Sequence, residues 1–225
     1  MRAGSGHDLF GSWPEQKGLV AGFGGRHQGF DPGEFVTVKQ VHGTRVLDAN
    51  DLAPGFHESV GADALVVSQD GKIVAVRTAD CVPILLVARQ QHWAAAVHAG
   101  WRGTLAGIVG EAVLAAGRQG VAAGELGAAI GPAIGPCCYE VGEDVAGQFE
   151  DHGHEVVRVA GRPALDLSQI NRSLLVKAGL NPEHVQVHGP CTRCHADRFY
   201  SYRADSSETG RQLSWIGFVA GHRNG

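Results

Sequence analysis

One methionine occurs in the 225 residues, charged side chains make up only 19%, and no apolar run approaches the roughly 18 residues of a membrane-spanning helix. Little charge together with 44% apolar residues excludes a disordered chain. Basic excess is also lacking: 19 Lys and Arg stand against 23 Asp and Glu, a net charge of −4. That balance excludes a nucleic-acid binder working through a basic surface. The first ten residues, MRAGSGHDLF, carry one Arg and no apolar stretch, so they do not read as a secretory signal. The sequence holds no G-x-S-x-G, no Walker A and no H-E-x-x-H, and GxGG at 22–25 precedes no clear helix. It has no internal repeat and no Pro/Ser-rich linker, so residues 1–225 read as a single domain, with 1–33 loosely patterned and regular structure starting near Phe35.

What is plentiful is glycine, 33 residues without a G-X-Y period, which favours a turn-rich, strand-rich fold. The five cysteines are an odd number, and with no export signal they read as reduced thiols of a cytoplasmic protein. ADALVVS (62–68) and KIVAVRT (72–78) flank Asp70-Gly71 and predict a hairpin. VPILLVA (82–88) and HWAAAVHA (92–99) predict a second hairpin, apolar almost throughout and therefore buried on both faces. FVTVKQV (35–41) and TRVLDA (44–49) surround a bend at His42-Gly43, where Gly43 would take the special conformation. Helices are expected over about 104–117 and 143–150, with a third from a cap at Asp166 or Ser168 to Gly179. Short strands are expected at 127–131, 184–189 and 213–220. Hairpins early and helices late predict the α+β class, a layered sandwich with mixed β-sheet.

Residues that face each other across a hairpin have indices of constant sum. A turn centred on Arg89-Gln90 sets Cys81 opposite His98, with Cβ atoms ~5 Å apart. That suits two ligands of one metal, or a thiol and its base. Adding His42 gives a His/Cys/His set, which fits zinc and leaves one coordination position open. The alternative is a buried thiol and two hydrogen-bonded imidazoles.

Three further strings carry reactive side chains. HAGWRGT (98–104) combines Gly100, Gly103 and Arg102 at a strand-to-helix turn, either an anion site or a tight turn with a stacked Arg. CTRCH (191–195) has the form of a haem attachment motif but lacks an export context; a redox pair, or half a zinc site with Cys137-Cys138 as a distant complement since no second C-x-x-C exists, are alternatives to the favoured reading, a turn containing two thiols. In GPCCYE (135–140), consecutive Cys137 and Cys138 cannot both face one site along a regular strand, so at most one would line a pocket.

Taken in order, KQVHGTRV (39–46), ADALVV (62–67), TADCVPILL (78–86), VHAGWRGT (97–104), IGPAIGPCCYEVG (130–142), DLSQIN (166–171), CT (191–192), FYSYRAD (199–205) and TGRQ (209–212) resemble the YfiH-type laccase-domain family, also described as polyphenol oxidase or purine nucleoside phosphorylase proteins. The resemblance implies a catalytic zinc on His42, Cys81 and His98, and phosphorolysis of adenosine, inosine and methylthioadenosine with adenosine deamination besides. The implied partners are purine nucleosides and phosphate, with no nucleic acid and no membrane. For deamination, zinc would lower the pKa of a bound water toward ~7, and Asp80 is the candidate proton shuttle or else the acceptor of a ligand His. For phosphorolysis, Arg26, Arg45 or Arg102 would hold phosphate near the ribose C1′. Arg26 corresponds to the Arg of the family's F-T-T-R-x-G-G, although the stretch from it to QVHG is short here. Cys194 and His195 lie outside the recurring pattern. Rival readings are a metal-free hydrolase with Cys81 as nucleophile and His98 as base, an editor of peptidoglycan precursors, a copper polyphenol oxidase lacking any axial Met but Met1, and a non-enzymatic chain with zinc as a structural clip.

Overall fold

The computed structural model describes residues 9–10, 16–28, 31–205 and 209–220. The reading of the N-terminus as no signal, and Met1 itself, fall on residues 1–8, outside the described residues. Two sheets hold eleven of the strands among the described residues. One has five strands in the spatial order β1 (Leu19–Phe23), β13 (Gln212–Phe218), β6 (Lys72–Thr78), β2 (Val36–Lys39) and β4 (Gly55–Gly61). The other has six, ordered β12 (Val185–Val187), β9 (Leu126–Ile130), β7 (Val82–Ala88), β8 (Ala94–Ala99), β5 (Ala64–Val67) and β3 (Val46–Asp48). A separate pair, β10 (Val157–Val159) and β11 (Arg162–Ala164), turns through Ala160-Gly161, both at positive φ as a two-residue hairpin turn requires. The helices are α1 (Trp101–Leu105), α2 (Ile108–Arg118), α3 (Glu143–Asp151), α4 (Leu167–Lys177) and α5 (Tyr202–Asp205). Both sheets mix parallel and antiparallel pairs, and the class is the α+β one the sequence suggests.

Strand alternation builds the layers. Val82, Ile84 and Leu86 of β7 pack with Ile108 and Ala112 of α2 and Leu167 and Leu175 of α4. Their neighbours Leu85 and Val87 point the other way, onto Val36, Val74, Val76, Ile216 and Phe218 of the five-stranded sheet. The six-stranded sheet is thus the middle of three layers, which is why β7 and β8 are buried at every position. Asp166 caps α4, its carboxylate accepting the Gln169 N–H at 3.0 Å.

Several expectations are corrected. Regular structure starts at β1, well before Phe35, because Leu19–Phe23 gains a partner only from the far end of the chain in β13. β5 and β6 do not pair across Asp70-Gly71: β5 lies between β8 and β3, and β6 between β13 and β2. The Asp-Gly turn instead carries the chain from one sheet to the other. β2 and β3 are likewise split between sheets, and His42, not Gly43, takes the left-handed conformation, with φ 58°. The helix expected over 104–117 is two helices, α1 and α2, broken where Gly107 adopts φ 88°. The β7–β8 hairpin pairs Val82 with Ala99, a register two residues from the expected one, because Arg89–His92 form a four-residue turn.

Leu85 is wholly buried between the two sheets. Truncation by Leu85→Ala is expected to cost about 2–5 kcal/mol, read as a lower denaturant midpoint at unchanged slope.

Candidate metal centre

Each of the three expected ligands comes from where the chain enters or leaves the middle sheet. His42 sits on the crossover from β2 to β3 and Cys81 on the crossover from β6 to β7, beside Asp80 at φ 88°. His98 is the penultimate residue of β8. In the observed register Cys81 lies opposite Gly100 and His98 opposite Pro83. The two-residue difference keeps both side chains on the face toward the five-stranded sheet, whereas a slip of one would have separated them. One nitrogen of each ring and the Cys81 sulfur all lie within 4.8 Å of one another. The two rings meet edge to face, with centroids 4.8 Å apart and planes at 77°. A Cβ on Gly100 would come within 2.8 Å of His42 Nδ1 and 3.2 Å of Cys81 Sγ, so only glycine leaves these donors in place.

Asp63 organises the cluster, and reading the sequence alone missed it. It is 1% exposed, at the mouth of β5. Its carboxylate accepts backbone N–H bonds from His42 (2.9 Å), Gly43 (2.7 Å) and Val41 (3.3 Å), and a ring bond from His98 Nδ1 (2.9 Å). The Nδ1 bond leaves Nε2 of His98 for a ligand. Burial pushes the Asp63 carboxyl up, but the bonds from His98, Gly43 and His42 outweigh it and hold the group below its ordinary value. The available signal was a carboxylate inside the apolar string ADALVV.

Electrostatics couples the three donors. Burial alone would raise the Cys81 thiol, yet hydrogen bonds and charge from His42 and His98 bring it down to about 6. Burial would lower His98, and Asp63 and Cys81 together raise it to about 9. Without a metal, these interactions favour the thiolate of Cys81 and the imidazolium of His98, the latter backed by the Asp63 carboxylate. Thiolate and two imidazoles form a donor set suited to a borderline-soft cation.

The cluster opens into a cavity of about 430 Å³, lined at its edge by Lys39, Phe56, Arg77, Tyr202 and Arg211. The expected arginines are elsewhere. Arg26 pairs with Asp205 at 2.5 Å and lies over the Tyr200 ring, Arg45 donates to the Gly61 carbonyl, and Arg102 stacks on Trp101. None is among the described residues lining this cavity. Asp80 does not accept from a ligand His. Its oxygens take the Thr192 hydroxyl and the Arg203 N–H, each at 2.7 Å.

The structure also corrects the reading of the other cysteines. Cys137, Cys138, Cys191 and Cys194 bring all four sulfurs within 4.8 Å of one another. Cys137 and Cys138 both face this cluster because they lie in a tight turn, where Cys138 and Tyr139 each donate to the Gly135 carbonyl.

Two outcomes follow from the site geometry. Asp63→Asn, which removes the acceptor orienting His98, is expected to weaken metal binding about 10–100-fold, measured by competition with a chelator. In metal-free protein the thiolate form of Cys81 persists down to about 6, so its alkylation is expected to slow only as pH falls through that value, rather than through the ~8.5 of a free thiol. Peptide mapping across a pH series checks this.

Residues 25–219 match the family profile described as multi-copper polyphenol oxidoreductase laccase. A purine nucleoside phosphorylase of Deinococcus radiodurans is 42% identical over 191 residues, covering 84% of this chain and 72% of that protein. Adenosine deaminase RL5, from an unknown prokaryotic organism, is 36% identical over 200 residues, covering 84% and 76%. The crystal structure of YlmD from Geobacillus stearothermophilus superimposes with a TM-score of 0.79 at 31% identity, covering 90% of this chain and 93% of that one. With the profile spanning most of its length and relatives this similar, the chain belongs to the YfiH-type laccase-domain family.

Proposed function

We propose that this protein is a zinc-dependent purine nucleoside phosphorylase acting on adenosine, inosine and methylthioadenosine, with zinc held by His42, Cys81 and His98. The observation that carries the reading is one cavity that joins a His/Cys/His cluster at its floor to three cationic side chains, Lys39, Arg77 and Arg211, at its wall. When bound, zinc would supply a Lewis acid at the floor, with a fourth position left for water or substrate. Names carried by several relatives support the same chemistry.

Phosphorolysis needs phosphate brought to the ribose C1′ while the purine leaves with the electron pair of the C1′–N9 bond. Lys39, Arg77 and Arg211 are the phosphate-binding candidates in this cavity, in place of Arg26, Arg45 and Arg102. Arg77 is steadied by Gln40, whose amide both donates to and accepts from its backbone at 2.8 Å, and its guanidinium lies 5.3 Å from the centre of the Phe56 ring. Phe56 and Tyr202 offer aromatic faces to a purine. Arg26, through Asp205, holds the helix that carries Tyr202. Asp80 acts as a positioning residue: it grips Thr192 and Arg203 and fixes the left-handed backbone turn that delivers Cys81.

Adenosine deamination is the second reading, favoured by the relative named for it and by the open fourth position of the cluster. Copper fits less well, since a multicopper oxidase needs further histidine clusters, and among the described residues the second cluster is made of cysteines alone.

Inosine and phosphate are expected to give hypoxanthine and ribose 1-phosphate with the zinc-loaded protein, and adenosine to give adenine by the same route. Chelation should abolish both, and added zinc restore them. Undiminished release from fully zinc-free protein, blocked by Cys81 alkylation, would replace this reading with a thiol mechanism. Ammonia and inosine from adenosine without phosphate would favour the deaminase. Arg77→Ala is expected to lower kcat/KM for phosphate roughly 10–100-fold, the loss of one charge-assisted contact.

A further inference from the structure

We propose that Cys137, Cys138, Cys191 and Cys194 form a second, closed zinc site with a structural role. The sulfurs of Cys137 and Cys138 lie 3.6 and 3.4 Å from that of Cys194, and all four fall within 4.8 Å of one another. Those separations are far longer than a disulfide bond of ~2.05 Å. They match a tetrahedron of thiolates around zinc, for which Zn–S of ~2.3 Å sets sulfurs about 3.8 Å apart.

The backbone presents the four thiols from two unrelated loops. Gly135-Pro136 enters a turn in which Cys138 and Tyr139 donate to the Gly135 carbonyl at 3.0 and 2.9 Å, so that adjacent cysteines converge. In the second loop His195 donates to the Cys191 carbonyl at 3.1 Å, one turn that brings Cys191 and Cys194 to the same side. A Cβ on Gly135 would stand 3.4 Å from Cys191 Cβ, in van der Waals contact, so the two loops are packed against each other here.

Four protein ligands fill the tetrahedron, which distinguishes a structural site from the three-ligand centre. A cross-link is useful at this place. The segments 131–142 and 188–201 contain no helix or strand, and apart from the cluster a single bridge, Ala133 to Cys191, joins them by backbone pairing. Thr192, next to Cys191, donates to Asp80, the neighbour of Cys81. Zinc here would therefore brace the wall behind the first centre.

The experiment is metal analysis of the full chain purified without added metal. Wild type is expected to hold two zinc ions, and Cys81→Ser one. Cobalt substituted into Cys81→Ser should give the intense visible bands of tetrahedral cobalt thiolate, since the four clustered cysteines are then the only thiols left. Cys194→Ser should lose one zinc and unfold at lower temperature, and Cys138→Ser gives the same reading if Cys194→Ser does not fold. A Cys81→Ser protein with no bound metal, or an intact mass showing disulfides among the four cysteines, would overturn the proposal. Because the cluster is read in protein lacking Cys81, failure of the first site and failure of the second give different results.

Discussion

A single buried carboxylate holds the functional end of this molecule together. Asp63 receives three backbone N–H groups from the His42 crossover and the ring N–H of His98, and its own carbonyl accepts the His98 backbone N–H at 2.7 Å. An isolated carboxylate would be costly in this setting, but four directed donors compensate its burial. The same contacts fix a left-handed turn at His42 and choose which nitrogen of His98 faces the cavity. Ligand geometry, loop conformation and charge state thus depend on one side chain.

The sandwich explains why the site is where it is. β7 and β8 are covered on one face by helices and on the other by the five-stranded sheet. A chain that serves both sheets must cross between them: the crossings from β2 to β3, β4 to β5 and β6 to β7 meet at the end where β8 finishes, whereas Asp70-Gly71 crosses at the opposite end, beside His92. Two of these carry a non-glycine residue at positive φ: His42, a member of the His/Cys/His cluster, and Asp80, the neighbour of Cys81. Such conformations cost of order 1–3 kcal/mol and persist only where surrounding bonds impose them. Asp63 does this for the first crossing, and Thr192 with Arg203 for the second.

The two cysteine-containing clusters differ in their surroundings. The His/Cys/His group opens into a cavity with cationic and aromatic walls, whereas the four-thiol group closes a junction of irregular loops. A hydrogen bond from Thr192, the neighbour of Cys191, to Asp80, the neighbour of Cys81, links the two clusters in space.

By itself the sequence determined the class of fold, the doubly buried hairpin and the three side chains, His42, Cys81 and His98, that meet in one cluster. Each of these is written in local pattern: apolar runs of strand length, and reactive side chains in short Gly-rich strings. Tertiary structure decided the rest. Whether Asp70-Gly71 closes a hairpin or switches sheets depends on which edges β8 and β13 already occupy, and the cost of that choice appears nowhere in the local residues. Asp63 reads as one polar residue in a strand until its four donors arrive from elsewhere. Arg77 and Arg211 line the cavity, while Arg26, Arg45 and Arg102 are held elsewhere by Asp205, the Gly61 carbonyl and the Trp101 ring. Cys137 and Cys138 share a site because a turn, unlike a strand, lets neighbouring side chains converge, and residues more than 50 positions away complete it.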